Sequence, residues 1–157
     1  FSPLSFLLAL SITSVDSAYW QRVSTFLSCT QDDPSCNKDD QTSAEIIDVT
    51  PDGKLAIYSD SGSERLGFVN IEDASAPVAA GVMSLGGEPT SVATVPSGGY
   101  AVTCINTSPS FTEPSGELIL VKIDDKSEVG RLDVGGQPDS IAISDDSKYI
   151  VICIENE

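Results

Sequence analysis

The sequence has 157 residues, with 24 acidic against 8 basic side chains, no histidine, four cysteines and a formal net charge of −16. This charge argues against nucleic-acid binding, because affinity for phosphate backbones comes mainly from Lys and Arg. The absence of histidine excludes Ser-His-Asp and Cys-His catalytic systems within this chain, and it removes the commonest zinc ligand. With 40% hydrophobic residues, the composition is nevertheless that of a globular protein.

The first predicted element is a leader. Residues 4–12 read LSFLLALSI, an apolar run that has the length of a signal-peptide core and is too short to cross a bilayer. Small residues follow at Ser14, Ser17 and Ala18 and would permit cleavage. We therefore expect a signal peptide over residues 1–18 that lacks its own N-terminus, a secreted or cell-surface protein, and no transmembrane span in this chain. An ordinary buried strand or helix is the alternative.

An entry segment follows over residues 19–41. Cys29 and Cys36 bracket the polar stretch TQDDPS, in which Pro34 favours a turn, so we predict a disulfide between them. Metal binding by this pair is the alternative, but no second pair stands at zinc spacing. The acids of this segment are expected to be a solvated charge run rather than an oxygen ligand set: Asp32, Asp33, Asp39 and Asp40.

Self-similarity dominates the remainder of the chain. Residues 86–108 read GGEPTSVATVPSGGYAVTCINTS, and residues 135–157 read GGQPDSIAISDDSKYIVICIENE, in register without a gap at a spacing of 49. A weaker copy, AEIIDVTPDGKLAIYSDS, covers residues 44–61. A period of about 45–50 residues indicates the blades of a β-propeller rather than a helical repeat. A β-sandwich of similar hairpins is the alternative, although sandwiches rarely repeat the same turn and strand at one spacing.

Each repeat predicts four antiparallel strands, which make one blade. A short β-rich run is followed by a tight polar turn and then by further runs rich in Val, Ile, Leu and Tyr. Cys104 and Cys153 fall inside two of these runs and are expected to be buried. We predict an all-β chain with a partial propeller over residues 42–157, divided into blades at about 42–85, 86–134 and 135–157, the last incomplete.

The repeat also predicts that the sequence is a fragment. The 116 residues from Thr42 to Glu157 amount to about two and a half units of 49, whereas propellers close with about four to eight blades. The first expected partner is therefore the rest of the ring, that is, the remaining blades of the full-length chain.

The order of strands predicts which end of the blades carries function. In a meander, the connection between blades lies at the same end as the connection between the second and third strands. Asp60, Glu88 and Glu155 are acids at that end, and carboxylates without histidine suit Ca²⁺ or Mg²⁺ rather than zinc or copper. We predict a Ca²⁺ site there, with solvated surface acids as the alternative.

The connections at the same end also supply candidate ligand contacts. The loop NTSPSFTEPSG exceeds its counterpart in the first repeat, and long loops on rigid scaffolds often carry binding residues. Asn106 additionally begins the glycosylation sequon Asn106-Thr107-Ser108. No nucleophile elbow or phosphate-binding loop is present, so no catalytic residue is nominated. The predicted contacts are Asn106, Phe111, Glu113, Gln137 and Asn156.

Three stretches carry a family resemblance. GGEPTSVA, NTSPSFTEPSGELILVKID and GGQPDSIAISDDSKYIVICIENE resemble secreted proteins with a phytase-like domain, also described as esterase-like activity of phytase. More loosely, they are similar to YVTN and lactonase-type propeller repeats. The resemblance covers roughly residues 23–157 and implies an extracellular, calcium-favouring phosphoesterase-like or esterase-like propeller. It assigns no catalytic residue to a position of this chain.

Two function classes follow. The first is a metal-assisted hydrolase of small phosphate esters or carboxyl esters, complete only in the full-length protein, with the present chain inactive. The second is a non-catalytic secreted or cell-surface propeller that binds protein or glycan through the same loops.

Overall fold

The computed structural model describes residues 21–36 and 41–155. The predicted leader, two acids of the entry segment (Asp39 and Asp40) and the predicted contact Asn156 lie outside these residues. The described part contains β-strands and two short 3-10 turns at Ser28–Gln31 and Ser61–Ser63. Within it, no helix is long and apolar enough to cross a membrane.

The strands form three antiparallel sheets, each in chain order. The first blade comprises β1 (Ala44–Val49), β2 (Leu55–Asp60), β3 (Arg65–Asn70) and β4 (Val78–Ser84). The second blade comprises β5 (Glu88–Thr94), β6 (Tyr100–Asn106), β7 (Gly116–Lys122) and β8 (Ser127–Asp133). A third, two-stranded sheet pairs β9 (Gln137–Ile143) with β10 (Ile150–Glu155). The predicted all-β fold, built from four-stranded blades with an incomplete third one, is confirmed.

The turn between the first two strands of a blade has the same hydrogen bonds in two repeats. The Thr50 hydroxyl donates to Asp52 Oδ1 over 2.6 Å and accepts from the Leu55 amide over 3.1 Å. Ser144 does the same with Asp146 (2.7 Å) and the Tyr149 amide (3.0 Å). Short polar side chains that bond to the backbone stabilise tight turns, which explains why these residue types recur at this spacing.

One position of the turn requires a left-handed backbone. Gly53 has a φ of 72° and Gly98 has a φ of 83°, whereas Ser147 adopts 58° at the matching place in the third sheet. Glycine occupies such a conformation without a Cβ penalty. The Ser147 hydroxyl links the second blade to the third sheet, because it accepts a hydrogen bond from the Ser97 amide over 3.0 Å.

The main core lies between the first and second blades. Ile57, Leu66 and Phe68 project from one face of the first blade and are fully buried. They pack against a matching face of the second blade, formed by Val92, Ala101, Ile105, Ile119 and Val121. Lys126, from the β7–β8 turn, adds a cation–π contact, with its ammonium 5.4 Å from the centre of the Phe68 ring.

The second blade meets the third sheet through a close approach at Gly116. A Cβ on Gly116 would overlap the ring of Pro138, which is itself fully buried. Pro138 belongs to the repeated Gly-Gly-x-Pro sequence, so this contact explains why a glycine opens β7.

The two unpaired thiols differ in burial. Cys104 is buried as expected, but the expectation for Cys153 was wrong, because its side chain is exposed. The physical reason is that β6, which carries Cys104, lies against the third sheet, whereas no described sheet packs against β10 in the same way. Burial raises the pKa of the Cys104 thiol to about 12, from an ordinary value of 9.0.

We expect Gly116→Ala to lower the free energy of unfolding by about 1–3 kcal/mol, as overpacking does when backbone and ring cannot move apart. Urea unfolding would measure the change. Gly130→Ala is the matched control, since nothing lies within 4 Å of the added methyl group, and it should change stability by less than about 0.5 kcal/mol. Equal stability of the two variants would contradict the contact with Pro138.

Alkali should destabilise the fold through Cys104. The folded state holds the thiol proton more tightly than the unfolded state, so this contribution is fully present below pH 9 and is lost as the pH rises towards 12. For one proton, the slope is at most about 1.4 kcal/mol per pH unit. Urea unfolding at pH 8 to 10.5 should show a shallower fall for Cys104→Ala than for the control Cys153→Ala. Identical slopes would show that the Cys104 thiol is not the group responsible.

Candidate functional site

The connections at one end of the blades form the candidate site, here called the loop side. They are residues 61–64, 85–87, 107–115 and 134–136, and the tight turns lie at the opposite end. The register pairs Glu88 with Asn106 and Gln137 with Glu155. These four predicted residues therefore lie on the first two strands of their sheets, at the loop side. Glu88 and Glu155 are exposed.

Asp60, the third predicted calcium ligand, has a different environment. Its side chain is fully buried, and its two oxygens accept hydrogen bonds from the Ser43 amide (2.7 Å) and from Arg65 Nε (3.0 Å). In the described ranges, no three Asp, Glu or Cys side chains are grouped in a way that could hold a metal ion. The structure therefore does not bring Asp60 together with Glu88 and Glu155.

Arg65 joins Asp60 to the entry segment. Its Nη1 lies 2.7 Å from Asp32 Oδ2 and donates to Asp32 Oδ1 over 2.8 Å. Burial alone would lower the pKa of Arg65, but the hydrogen bonds to Asp32 and Asp60 raise it above its ordinary value. The three side chains form an ion network that runs from the half-exposed Asp32 to the buried Asp60.

Sequence reasoning missed this network. When residues are counted from the start of the second strand of each blade, Asp60 in β2 corresponds to Ile105 in β6. The register partner of Ile105 is Glu117, whereas that of Asp60 is Arg65. An aspartate at an apolar repeat position, opposite a basic residue across a short loop, is the signal that could have revealed the pair. Asp32, assigned to a solvated charge run, is half-exposed and bonded to Arg65.

The long loop at residues 107–115 is held by its own polar groups. Asn106 Oδ1 accepts from the Ser108 amide over 2.9 Å, and the Ser108 hydroxyl accepts from the Ser115 amide over 2.9 Å. Ser110 and Glu113 form an isolated β-bridge across the tip. Phe111 lies at this tip with 86% of its surface exposed. An ordered loop therefore presents an aromatic ring to solvent.

A second feature that sequence reasoning missed is a repeated β-bulge. The first strand of every sheet carries extra residues near the loop side: Glu45 and Ile46 opposite Ser59 in β1, Thr90 in β5, and Asp139 in β9. Bulges re-aim side chains and are common beside functional sites. The sequence signal is a polar residue directly after the proline of Gly-Gly-x-Pro, as at Thr90 and Asp139.

Clefts at the opposite end offer little chemistry. One, of about 430 Å³, is lined by the first strands and includes Asp48 and Thr94. Asp48 Oδ2 already accepts from the Thr94 amide (2.7 Å) and hydroxyl (2.8 Å). A second, of about 500 Å³, lies between the tight turns of the two blades. The polar groups of the first cleft therefore serve contact between blades.

A family model described as the choice-of-anchor I domain matches residues 45–157. No curated protein matches the chain. The match to this family, together with the structural similarities below, supports a β-propeller and does not show the phytase-like family in particular.

Solved structures share the fold at low sequence identity. Hydrazine synthase from Kuenenia stuttgartiensis has a TM-score of 0.61 at 18% identity, over 73% of this chain and 30% of that one. A protein from Bacteroides fragilis, provisionally assigned as a 6-phosphogluconolactonase, has a TM-score of 0.63 at 14% identity, over 73% and 32%. Its counterpart from Bacteroides uniformis has a TM-score of 0.56 at 21% identity, over 71% and 33%. The chain spans about a third of the length of these structures, and the identities show the fold alone.

Arg65→Met should lower the free energy of unfolding by about 3 kcal/mol or more, because it leaves the Asp60 carboxylate buried without its charged partner. Urea unfolding would measure this. Arg131→Met is the matched control: Arg131 pairs with Glu117 and Glu128 at the surface, where such pairs contribute at most about 1 kcal/mol. The double variant Asp60→Ile with Arg65→Met should recover most of the loss. No recovery would contradict an ion-pair origin.

Proposed function

Since the chain belongs to the choice-of-anchor I domain family, we propose that it is part of an extracellular or cell-surface β-propeller that binds a protein or a glycan through its loop side. The observation that carries this proposal is the ordered loop at residues 107–115, with Phe111 exposed at its tip. Exposed aromatic side chains on rigid supports lose little entropy on binding and are frequent anchors of interfaces.

The surroundings of Phe111 favour recognition of a polar partner. Ser110, Thr112 and Glu113 flank the ring and are exposed, and they supply hydroxyl and carboxylate groups that can bond to a ligand around the aromatic contact. Glu88 and Gln137 begin the first strands of their sheets at the same side. An aromatic contact with hydrogen-bonding groups at its edge suits a glycan or a polar protein surface.

The disulfide and the family support the proposed extracellular or cell-surface location. Cys29 and Cys36 form the predicted disulfide, with their Cα atoms 5.0 Å apart, and disulfides form in oxidising compartments. Asn106 is partly exposed at the start of the long loop, so a glycan attached there would stand on the loop side. We propose Asn106 as a glycosylation site of the secreted protein.

The first proposed partners of this chain are further blades of the full-length protein. The outer edge of β10 has no strand partner among the described residues, and Tyr149 and Val151 beside it are exposed. The solved structures that share the fold are about three times as long as the aligned segment. We propose that additional strands and blades of the full-length protein pair with this edge.

A metal-assisted phosphate-ester or carboxyl-ester hydrolase is the second candidate. The observation in its favour is that Glu88 and Glu155 lie exposed at the loop side, where they could bind Ca²⁺ with acids from other blades. Asp60 is committed to Arg65 and is not part of this proposal. Binding is the better-supported function, because the long loop presents an ordered contact residue.

Phe111→Ala should weaken binding to glycan arrays and to a panel of immobilised extracellular proteins by roughly tenfold or more, as loss of an aromatic anchor does. Unfolding stability should be nearly unchanged, because 86% of the surface of Phe111 is exposed. Leu132→Ala is the matched control, since Leu132 is also apolar and is 63% exposed, but lies on β8. Equal loss in both variants, or none in either, would reject the loop as the binding site.

The hydrolase alternative is tested with p-nitrophenyl phosphate and p-nitrophenyl acetate on the full-length protein, with and without Ca²⁺. Calcium-dependent turnover that Glu88→Gln abolishes would replace binding with hydrolysis as the function. The same full-length protein without turnover, but with Phe111-dependent binding, would support the recognition role.

A further inference from the structure

The first blade has one face that the second blade does not cover. Ala56, Tyr58 and Val69 form a small apolar cluster on this face, and Phe26 of the entry segment packs against it. The Tyr58 ring lies over Gly67, where a side chain would overlap it. The entry segment therefore occupies the position that a neighbouring blade takes on the second face.

The entry segment is attached to this face mainly by polar contacts. Gln31 Nε2 donates to the Phe68 carbonyl over 2.8 Å, and the Ser24 hydroxyl donates to the Ala74 carbonyl over 2.6 Å. Asp32 pairs with Arg65, as described above. These contacts place one carboxylate and two uncharged side chains of the segment against the first blade.

The contact between the entry segment and the first blade leaves a buried polar group without a hydrogen-bond partner. Arg65 Nη2 is buried without a hydrogen-bond partner. A buried polar atom without a partner opposes attachment of the entry segment, because water would bond to it when the segment is detached. The polar contacts alone therefore hold the segment less firmly than an apolar blade interface would hold it.

The disulfide compensates for this weakness. Cys29 and Cys36 close a short loop that contains both Gln31 and Asp32, and both cysteines are only partly buried, so a reductant can reach them. A closed loop of this size restricts the conformations of the detached segment and keeps Gln31 and Asp32 close to each other, which favours the attached state by at most roughly 50-fold over the open-loop chain.

We propose that the Cys29–Cys36 disulfide is a redox-controlled latch, which holds the entry segment on the first blade and releases it on reduction. A dithiol reductant supplies two electrons and two protons, the Cys29–Cys36 bond breaks to two thiols, and the reductant is oxidised to its own disulfide. The loop that carries Gln31 and Asp32 then loses its restraint, the segment detaches, and its contacts with the face that carries Arg65, Asp60 and Tyr58 are lost.

The experiment is hydrogen–deuterium exchange on the 157-residue chain before and after addition of dithiothreitol. Reduction should increase exchange in residues 21–36 and in β2 and β3 by roughly tenfold or more, while β6 and β7 in the second blade keep their protection. Asp32→Asn should raise exchange in the same segment with the disulfide intact. Asp33→Asn is the matched control, since the Asp33 carboxylate accepts its hydrogen bonds from Ser35 within the loop.

Two outcomes would overturn the proposal. If reduction leaves exchange in residues 21–36 and β2–β3 unchanged, the disulfide does not hold the segment. If reduction unfolds both blades together, the disulfide is a structural staple and not a latch. The variant Cys29→Ser with Cys36→Ser adds an independent check, because it should reproduce the exchange pattern of the reduced chain without any reductant.

Discussion

Each blade in this fold has two faces that must be covered, and this constraint organises the molecule. A sheet with apolar residues on both sides is stable only between neighbours. Ile57 and Phe68 meet this requirement on one side of the first blade by packing against the second. The same rule brings Pro138 against Gly116 on the far side of the second blade. Each added sheet thus covers one face and exposes another.

The other face of the first blade is covered in a different way. Where Ile105 of the second blade packs into the core between blades, the corresponding Asp60 is buried against Arg65. A buried ion pair contributes less net stability than an apolar contact of the same size, but breaking it is costly. The face can therefore be covered by a polar segment with few apolar side chains. Detachment of that segment exposes charged groups that water can solvate. Detachment of a blade would instead expose apolar side chains.

The sequence predicted the repeated features well, because they depend on local chemistry. The turn around Thr50 and Asp52 follows from side chains that bond to their own backbone, and the same residues recur at Ser144 and Asp146. Features that depend on distant contacts were missed. The role of Asp60 requires Arg65 and Asp32 to meet in space, and the exposure of Cys153 depends on what covers that face of the third sheet. No propensity distinguishes an acid that binds a metal ion from one that binds an arginine.

The first connection of a blade, at the turn side, and the second, at the loop side, differ in how freely their sequence can change. At the turn side, Gly53 and Gly98 hold left-handed conformations, and the polar side chains of these turns are bonded to the backbone. Substitution there disturbs the hairpin that positions the first two strands. At the loop side, the connection between the second and third strands has four residues in the first blade (61–64) and nine in the second (107–115), with the strands paired alike. A loop that changes length without disturbing its strands can acquire a residue such as Phe111 at no cost to the core, so recognition can diversify at this side while the blades stay the same.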